Sequence, residues 1–147
     1  MFSAVNKLLL IEDDPFLIEW EERLLQLHFP GLELVKVLSE REFLVRKDEL
    51  ADASFQVILL DIMLPWEDGA DMGSTLFPEP RGTFFEAGIR ILRDIAETPK
   101  LASIPILVQT VNDRSAVDIP RDTKLQISFR RKDEPDDHLI HWIRRHI

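Results

Sequence analysis

The sequence predicts a doubly wound α/β domain around a five-stranded parallel sheet, and three observations carry that prediction. Five short apolar runs alternate with stretches of helical periodicity: residues 7–11, 32–38, 55–60, 104–108 and 125–129. The central run, Phe55-Gln-Val-Ile-Leu-Leu60, is nearly continuous rather than alternating, as a strand covered on both faces must be. Finally, 147 residues with 45% apolar content suffice for one domain with a real core.

Taken in order, Lys7 to Ile11 is a short strand that ends in Glu12-Asp13-Asp14-Pro15. Three consecutive carboxylates repel one another unless they are solvated, capping a helix or holding a cation. Pro15 suits a first helical turn, and acids before it favour the positive end of the dipole. The helix that follows is expected to face inward with Leu17, Trp20, Leu24 and Leu27, and Pro30-Gly31 stops it. Leu32 to Leu38 alternates loosely, like a strand near a sheet edge. Ser39-Glu-Arg-Glu42 is a capping box that opens a second helix to about Leu50.

After the central strand, Pro65 and Gly69 break the chain, and a region from about 66 to 82 lacks periodicity and reads as an extended loop. Thr83 to Glu86 forms another capping box, with Phe84, Gly88, Ile91 and Ile95 at helical spacing and Pro99 as the stop. Ile104 to Val108 is a buried strand closing on Gln109-Thr110, and Asp113 to Val117 has room only for a short helix. Leu125 to Phe129 is the last strand and leads into Arg130-Arg131-Lys132. The terminal helix, from about Pro135, has Asp136 and Asp137 at its start and Arg144, Arg145 and His146 at its end, both favourable to the dipole. Its apolar face is Leu139, Ile140, Ile143 and Ile147. Right-handed crossovers leave few topologies for this count, and a flavodoxin-like order is the natural one.

Composition narrows the function. No apolar run approaches the roughly 20 residues that cross a bilayer, and the N-terminus lacks the pattern of a signal peptide. The absence of Cys excludes disulfides and thiolate metal sites and fits a cytoplasmic protein. A net charge of −9 argues against direct nucleic-acid binding, and Arg130-Arg131-Lys132 is too short a basic patch to change that.

In such a sheet the C-terminal strand ends converge on one crevice. Here they bring Glu12, Asp13 and Asp14, then Asp61, Thr110 and Lys132. Taken singly, each has a plain reading: Asp61 opens a turn, Thr110 satisfies backbone, and Lys132 is a solvated charge. Together they form a coherent set. Carboxylates from two strands suit Mg²⁺, Asp61 can attack phosphorus, and a lysine and a hydroxyl can hold phosphoryl oxygens.

These residues resemble the receiver domain of two-component response regulators. The segments LLLIEDDP, VILLDIMLP, IPILVQT and SFRRK match its four motifs in order, and the likeness spans almost the whole chain as one domain, 1–147. The resemblance implies that Asp61 is the phosphoacceptor. It implies Mg²⁺ held by Glu12, Asp13 and Asp61 with the backbone carbonyl of Met63, Asp13 directly and Glu12 through water. Thr110 and Lys132 would bind the phosphoryl group, and Phe129 would be the aromatic that turns on activation. It further implies a histidine kinase or histidine phosphotransfer protein as donor, a downstream protein partner, and a signalling role rather than that of an enzyme. With no output domain legible, the chain is expected to be either a stand-alone regulator or a piece of a longer one.

Three departures from the family pattern stand out. Asp61 and Thr110 are 49 positions apart, longer than receivers usually have. Lys132 is followed by Asp133 rather than Pro, so the usual cis peptide is not expected there. Val111 replaces a commonly small residue.

Rival readings are weaker. A haloacid-dehalogenase-type phosphohydrolase wants a second acid two residues after its nucleophile, and Met63 stands there. A phosphorylation-independent interaction module is the alternative on the same fold, against which the intact Asp61, Thr110 and Lys132 count. Dinucleotide binding fails for want of a glycine-rich turn after the first strand. His138 and His141 lack a third ligand at helical spacing and read as a solvated helix face. Trp20 and Trp142 read as packing residues, while Trp66 stands where it could shield Asp61.

Overall fold

The computed structural model describes residues 5–66, 86–111 and 124–147. Its strands are β1 (Lys7–Ile11), β2 (Glu33–Val37), β3 (Val57–Asp61), β4 (Ile106–Thr110) and β5 (Ile127–Arg131). Its helices are α1 (Pro15–His28), α2 (Glu40–Asp52), α3 (Ala87–Ala96), the one-turn α4 (Pro99–Ala102) and α5 (Asp136–His146). All five strands are parallel in the order β2-β1-β3-β4-β5, the doubly wound arrangement expected.

Alternation along β1 and β3 splits the core into two layers. Leu9, Ile11, Ile58 and Leu60 join Phe43, Ile91 and Ile95 on the α2/α3 side. Leu8, Leu10, Val57 and Leu59 join Leu25, Leu139 and Ile143 on the α1/α5 side. Every residue of β3 and β4 is buried, which is why those runs carry so little polar alternation.

Local capping follows the sequence closely. Asp14 is the N-cap of α1, its Oδ1 accepting from Phe16 N at 2.9 Å and Leu17 N at 3.4 Å. At α2 the Ser39 hydroxyl accepts from Glu42 N at 3.0 Å, and the Glu42 carboxylate reaches back to Leu38 N at 3.0 Å.

Several expectations need correction. The inward face of α1 is centred on Glu21 and Leu25, whereas Trp20 and Leu27 are 55% and 76% exposed. The sheet lies one helical position round from where the leucines alone suggested. Trp20 is therefore not a packing residue; its indole nitrogen donates to Asp136 Oδ2 at 3.3 Å. Pro99 does not merely stop α3, which ends at Ala96; it starts the separate turn α4, where its missing N–H costs nothing. β4 and β5 each begin two residues later than their apolar runs, because β4 pairs as far as Thr110 and β5 as far as Arg131. Ile147 is 38% exposed and Trp142 takes the place expected for it in the α5 core. The Asp113–Val117 helix, the Thr83 capping box and nearly all of the loop at 66–82 lie outside the described residues. Among the described residues there is no cis peptide, and no helix is long and apolar enough to cross a membrane.

Candidate functional site

The crevice is built at the C-terminal edge of β1, β3 and β4. Glu12 extends β1 by one ladder bond, its N–H donating to Val37 O at 3.0 Å, and is 1% exposed. Its Oε1 accepts from Asp13 N and Asp14 N, each at 3.1 Å, which folds the acidic turn back on itself. The three consecutive acids therefore divide their work: Asp14 caps α1, while Glu12 and Asp13 turn to the crevice. Carboxylate oxygens of Glu12, Asp13 and Asp61 lie within 4.8 Å of one another.

Asp61 closes β3 and is 5% exposed. Its Oδ1 accepts from Met63 N at 3.0 Å and its Oδ2 from Lys132 Nζ at 3.1 Å. The same ammonium donates to Glu12 Oε2 at 3.0 Å. Lys132 is presented by a turn whose first bond runs from its own N–H to Thr110 O at 2.8 Å, so β4 fixes its height above the sheet. Thr110 is buried at the end of β4, next along the strand from Gln109, the ladder partner of Asp61. Phe129 pairs with Val108 and is half-buried against the α2/α3 layer, on the strand face it shares in register with Thr110. The structure thus brings Glu12, Asp13, Asp61, Thr110 and Lys132 to one edge and sets Phe129 two residues below it.

Electrostatics follow from crowding in a buried place. Burial raises Glu12 above the usual carboxylate range, the Asp61 charge adds to that, and Lys132 opposes it. Asp61 is likewise raised by burial and held back by Lys132 and by the Met63 amide. Asp13 is raised by burial and by Glu12. Burial pulls the Lys132 ammonium down, yet Asp61 and Glu12 outweigh it and its affinity for the proton rises. The ammonium therefore stays charged and keeps at least part of the acidic pair ionised.

The surrounding scaffold is tied to the strand ends by hydrogen bonds and close packing. The first amides of α2 hold the chain after β3, with Glu40 N on Pro65 O at 3.0 Å and Arg41 N on Trp66 O at 2.8 Å. Glu40 also binds Arg90 of α3 through two contacts of 2.7 Å. Gly88 packs directly on the strand end: a Cβ there would sit 2.5 Å from Ile62 Cα and 2.9 Å from Asp61 O. Helical spacing identified Gly88 only as a face residue; its contact with Asp61 had no signal in the sequence.

A second polar cluster was also missed. Beneath α1, Gln109 Nε2 donates to Glu21 Oε1 at 2.9 Å, and Arg130 Nη1 donates to Gln109 Oε1 at 2.9 Å. All three residues are at most 5% exposed. Burial pushes the Glu21 carboxyl up to about 7, with Gln109 opposing the shift. The available signal was a glutamine closing an otherwise apolar strand run, since a buried amide needs partners. His138 lies beside Glu134 on the exposed surface at 3.3 Å, in keeping with a solvated face.

No protein-family model matches the sequence, and no curated protein matches it. Solved structures do. The chemotaxis response regulator CheY4 of Vibrio cholerae is 17% identical, with a TM-score of 0.68, over 98% of this chain and 100% of that one. The BeF3-activated N-terminal receiver domain of Klebsiella pneumoniae RstA is 22% identical, with a TM-score of 0.65, over 96% and 97%. The receiver domain of the sensor histidine kinase PA1611 from Pseudomonas aeruginosa, with a magnesium ion coordinated in its active site cleft, is 20% identical, with a TM-score of 0.63, over 97% and 98%. The chain has the fold of response-regulator receiver domains, as one unit.

Proposed function

We propose that this protein is a receiver that accepts a phosphoryl group on Asp61 from a histidine kinase or histidine phosphotransfer protein. It then signals to a protein partner in the cytoplasm. The observation that carries the reading is the Lys132 ammonium between Glu12 Oε2 and Asp61 Oδ2 at 3.0 and 3.1 Å. A strand-end carboxylate with one oxygen on a backbone amide and the other on an ammonium is a nucleophile with its charge balanced in place.

The donor set also fits Mg²⁺. It consists of carboxylate oxygens from two strand ends within 4.8 Å of one another, with Asp13 exposed to solvent, as a small hard cation that keeps several waters requires. Glu12, Asp13 and Asp61, with the carbonyl of Met63, are the residues that would hold it. When bound, the cation neutralises charge on the phosphoryl oxygens. An Asp61 carboxylate oxygen attacks phosphorus, the phosphorus–nitrogen bond to the donor imidazole breaks, and the imidazole leaves. Lys132 and the Thr110 hydroxyl then receive phosphoryl oxygens. Drawing in Thr110 frees space for Phe129 to turn inward, a two-state packing change at β4 and β5. The chemistry is transfer onto the protein itself and later loss to water, with no substrate turned over.

Intact-mass measurement after incubation with acetyl phosphate and Mg²⁺ tests this. One added phosphoryl group is expected, absent in Asp61→Asn and in excess EDTA. Undiminished labelling of Asp61→Asn would place the nucleophile elsewhere, and equal labelling in EDTA would remove the cation.

A further inference from the structure

The turn that presents Lys132 is tied down from inside by a buried cation that the proposed chemistry does not use. Arg130 precedes Lys132 by two residues and is 5% exposed. Its guanidinium faces the α1/α5 layer, where Nη1 donates to Gln109 Oε1 at 2.9 Å. Nη2 donates to Glu134 O at 3.0 Å and lies 3.3 Å from Asp136 Oδ1. One planar group thus joins β4, the far end of the turn after β5, and the first residue of α5. Asp136 in turn accepts from the indole of Trp20, and Gln109 donates to Glu21, the next residue on α1. The bonds close a ring from α1 through α5, β5 and β4 back to α1.

On the outer side the turn is held by exposed side chains and by backbone bonds. Arg131 and Asp133 pair at 2.5 Å, but both are exposed and screened by solvent. Glu134 N donates to Arg131 O at 3.0 Å, and Lys132 N to Thr110 O at 2.8 Å, which sets the backbone height of the turn but not the lean of the Lys132 side chain. A rigid fork reaching several acceptors at once loses less freedom per bond than a flexible ammonium would, which suits Arg to this task.

We infer that Arg130 is a positioning residue, which fixes the turn from residue 131 to 135 and thereby holds the Lys132 ammonium between Glu12 and Asp61. The inference rests on the proposed function only where phosphoryl transfer is the readout. A displacement of about 1 Å at a reacting centre can cost on the order of 100-fold in rate, so a loosened turn is expected to slow phosphorylation about tenfold to a hundredfold.

The experiment compares Arg130→Met, which keeps much of the apolar stem, and Arg130→Lys, which keeps the charge, with the unsubstituted chain. The first readout is the order of the Lys132 ammonium by ¹⁵N NMR of side-chain amines, without phosphodonor. The second is the initial rate of labelling by acetyl phosphate with Mg²⁺, per folded molecule. Arg130→Met should release the ammonium and slow labelling, Arg130→Lys should recover part of both, and Arg130→Met should cause no further slowing in a Lys132→Ala background. An ammonium as ordered in folded Arg130→Met as in the parent overturns the inference. So do effects of Arg130→Met and Lys132→Ala that multiply. If the parent takes no phosphate, the functional reading fails, and the ammonium order alone decides for or against Arg130.

Discussion

Two buried polar clusters lie side by side at the same strand ends, Asp61, Gln109 and Arg130 sharing one sheet face in register, and they handle charge differently. In the crevice, two acids share one ammonium by direct contact at 3.0 and 3.1 Å. Under α1, one acid is kept from its guanidinium by a neutral amide, Glu21 to Gln109 to Arg130, and Glu21 Oε2 has no hydrogen-bond partner among the described residues. The first arrangement holds surplus negative charge in place beside a cation that resists deprotonation. The second relaxes by letting Glu21 keep a proton up to about 7. Burial alone raises acids in both places. What separates a poised site from a structural one here is whether a cation touches the carboxylate.

The largest expected effect comes from removing that contact. Lys132→Ala leaves Glu12 and Asp61 buried together without a counter-cation, which is expected to destabilise the protein by about 3–5 kcal/mol at pH 8. Because protonation of the two carboxyls relieves the repulsion, the loss should shrink at pH 4.5. Urea unfolding at both pH values, with EDTA present, reads this. An equal loss at both would mean that Lys132 matters for packing and not for charge.

Glu21 should respond in the opposite sense. Folded, its carboxyl titrates at about 7 against an ordinary value of 4.5. Between those values the folded state keeps a proton that the unfolded chain has released, so stability falls as pH rises and the loss is complete above about 7. Glu21→Gln removes the penalty. It is expected to gain about 3 kcal/mol over the parent at pH 8, shrinking to nothing below about pH 4.5. A pH-independent difference between the two would show that Glu21 is ionised throughout and that the contrast between the clusters is misdrawn.

A smaller effect is expected where the scaffold meets the crevice. Gly88→Ala puts a Cβ against backbone at 2.5 Å, which no side-chain rotation relieves. A cost of about 1–3 kcal/mol is expected, the usual range for overpacking. Since the strained atoms belong to Asp61 and Ile62, labelling with acetyl phosphate should slow more than in Ala87→Gly, a change at the neighbouring buried position. Slowing no greater than in Ala87→Gly would confine Gly88 to packing.

Much of this was legible in the sequence because it depends on near neighbours. The central strand runs reflect burial on both faces, the Ser39 box is satisfied within four residues, and α5 carries its dipole-matched ends in eleven. The positions of Asp61, the last residue of β3, and Lys132, the first after β5, were legible too, since strand ends in a parallel sheet have only one crevice to enter.

Tertiary structure decided what depends on distant partners. Trp20 and Leu27 look like core residues by periodicity, but the sheet lies against Glu21 and Leu25, so the large apolar groups face out and an acid faces in. Arg130 reads only as part of a short basic run, yet its acceptors arrive from positions 109, 134 and 136 to bury it. Which of the three acids after β1 caps the next helix was settled by the start of α1. Local pattern fixes where a strand or helix begins because its bonds close within a few residues. The facing of a helix, and the burial of a charge, wait for groups that only the fold brings within hydrogen-bond reach.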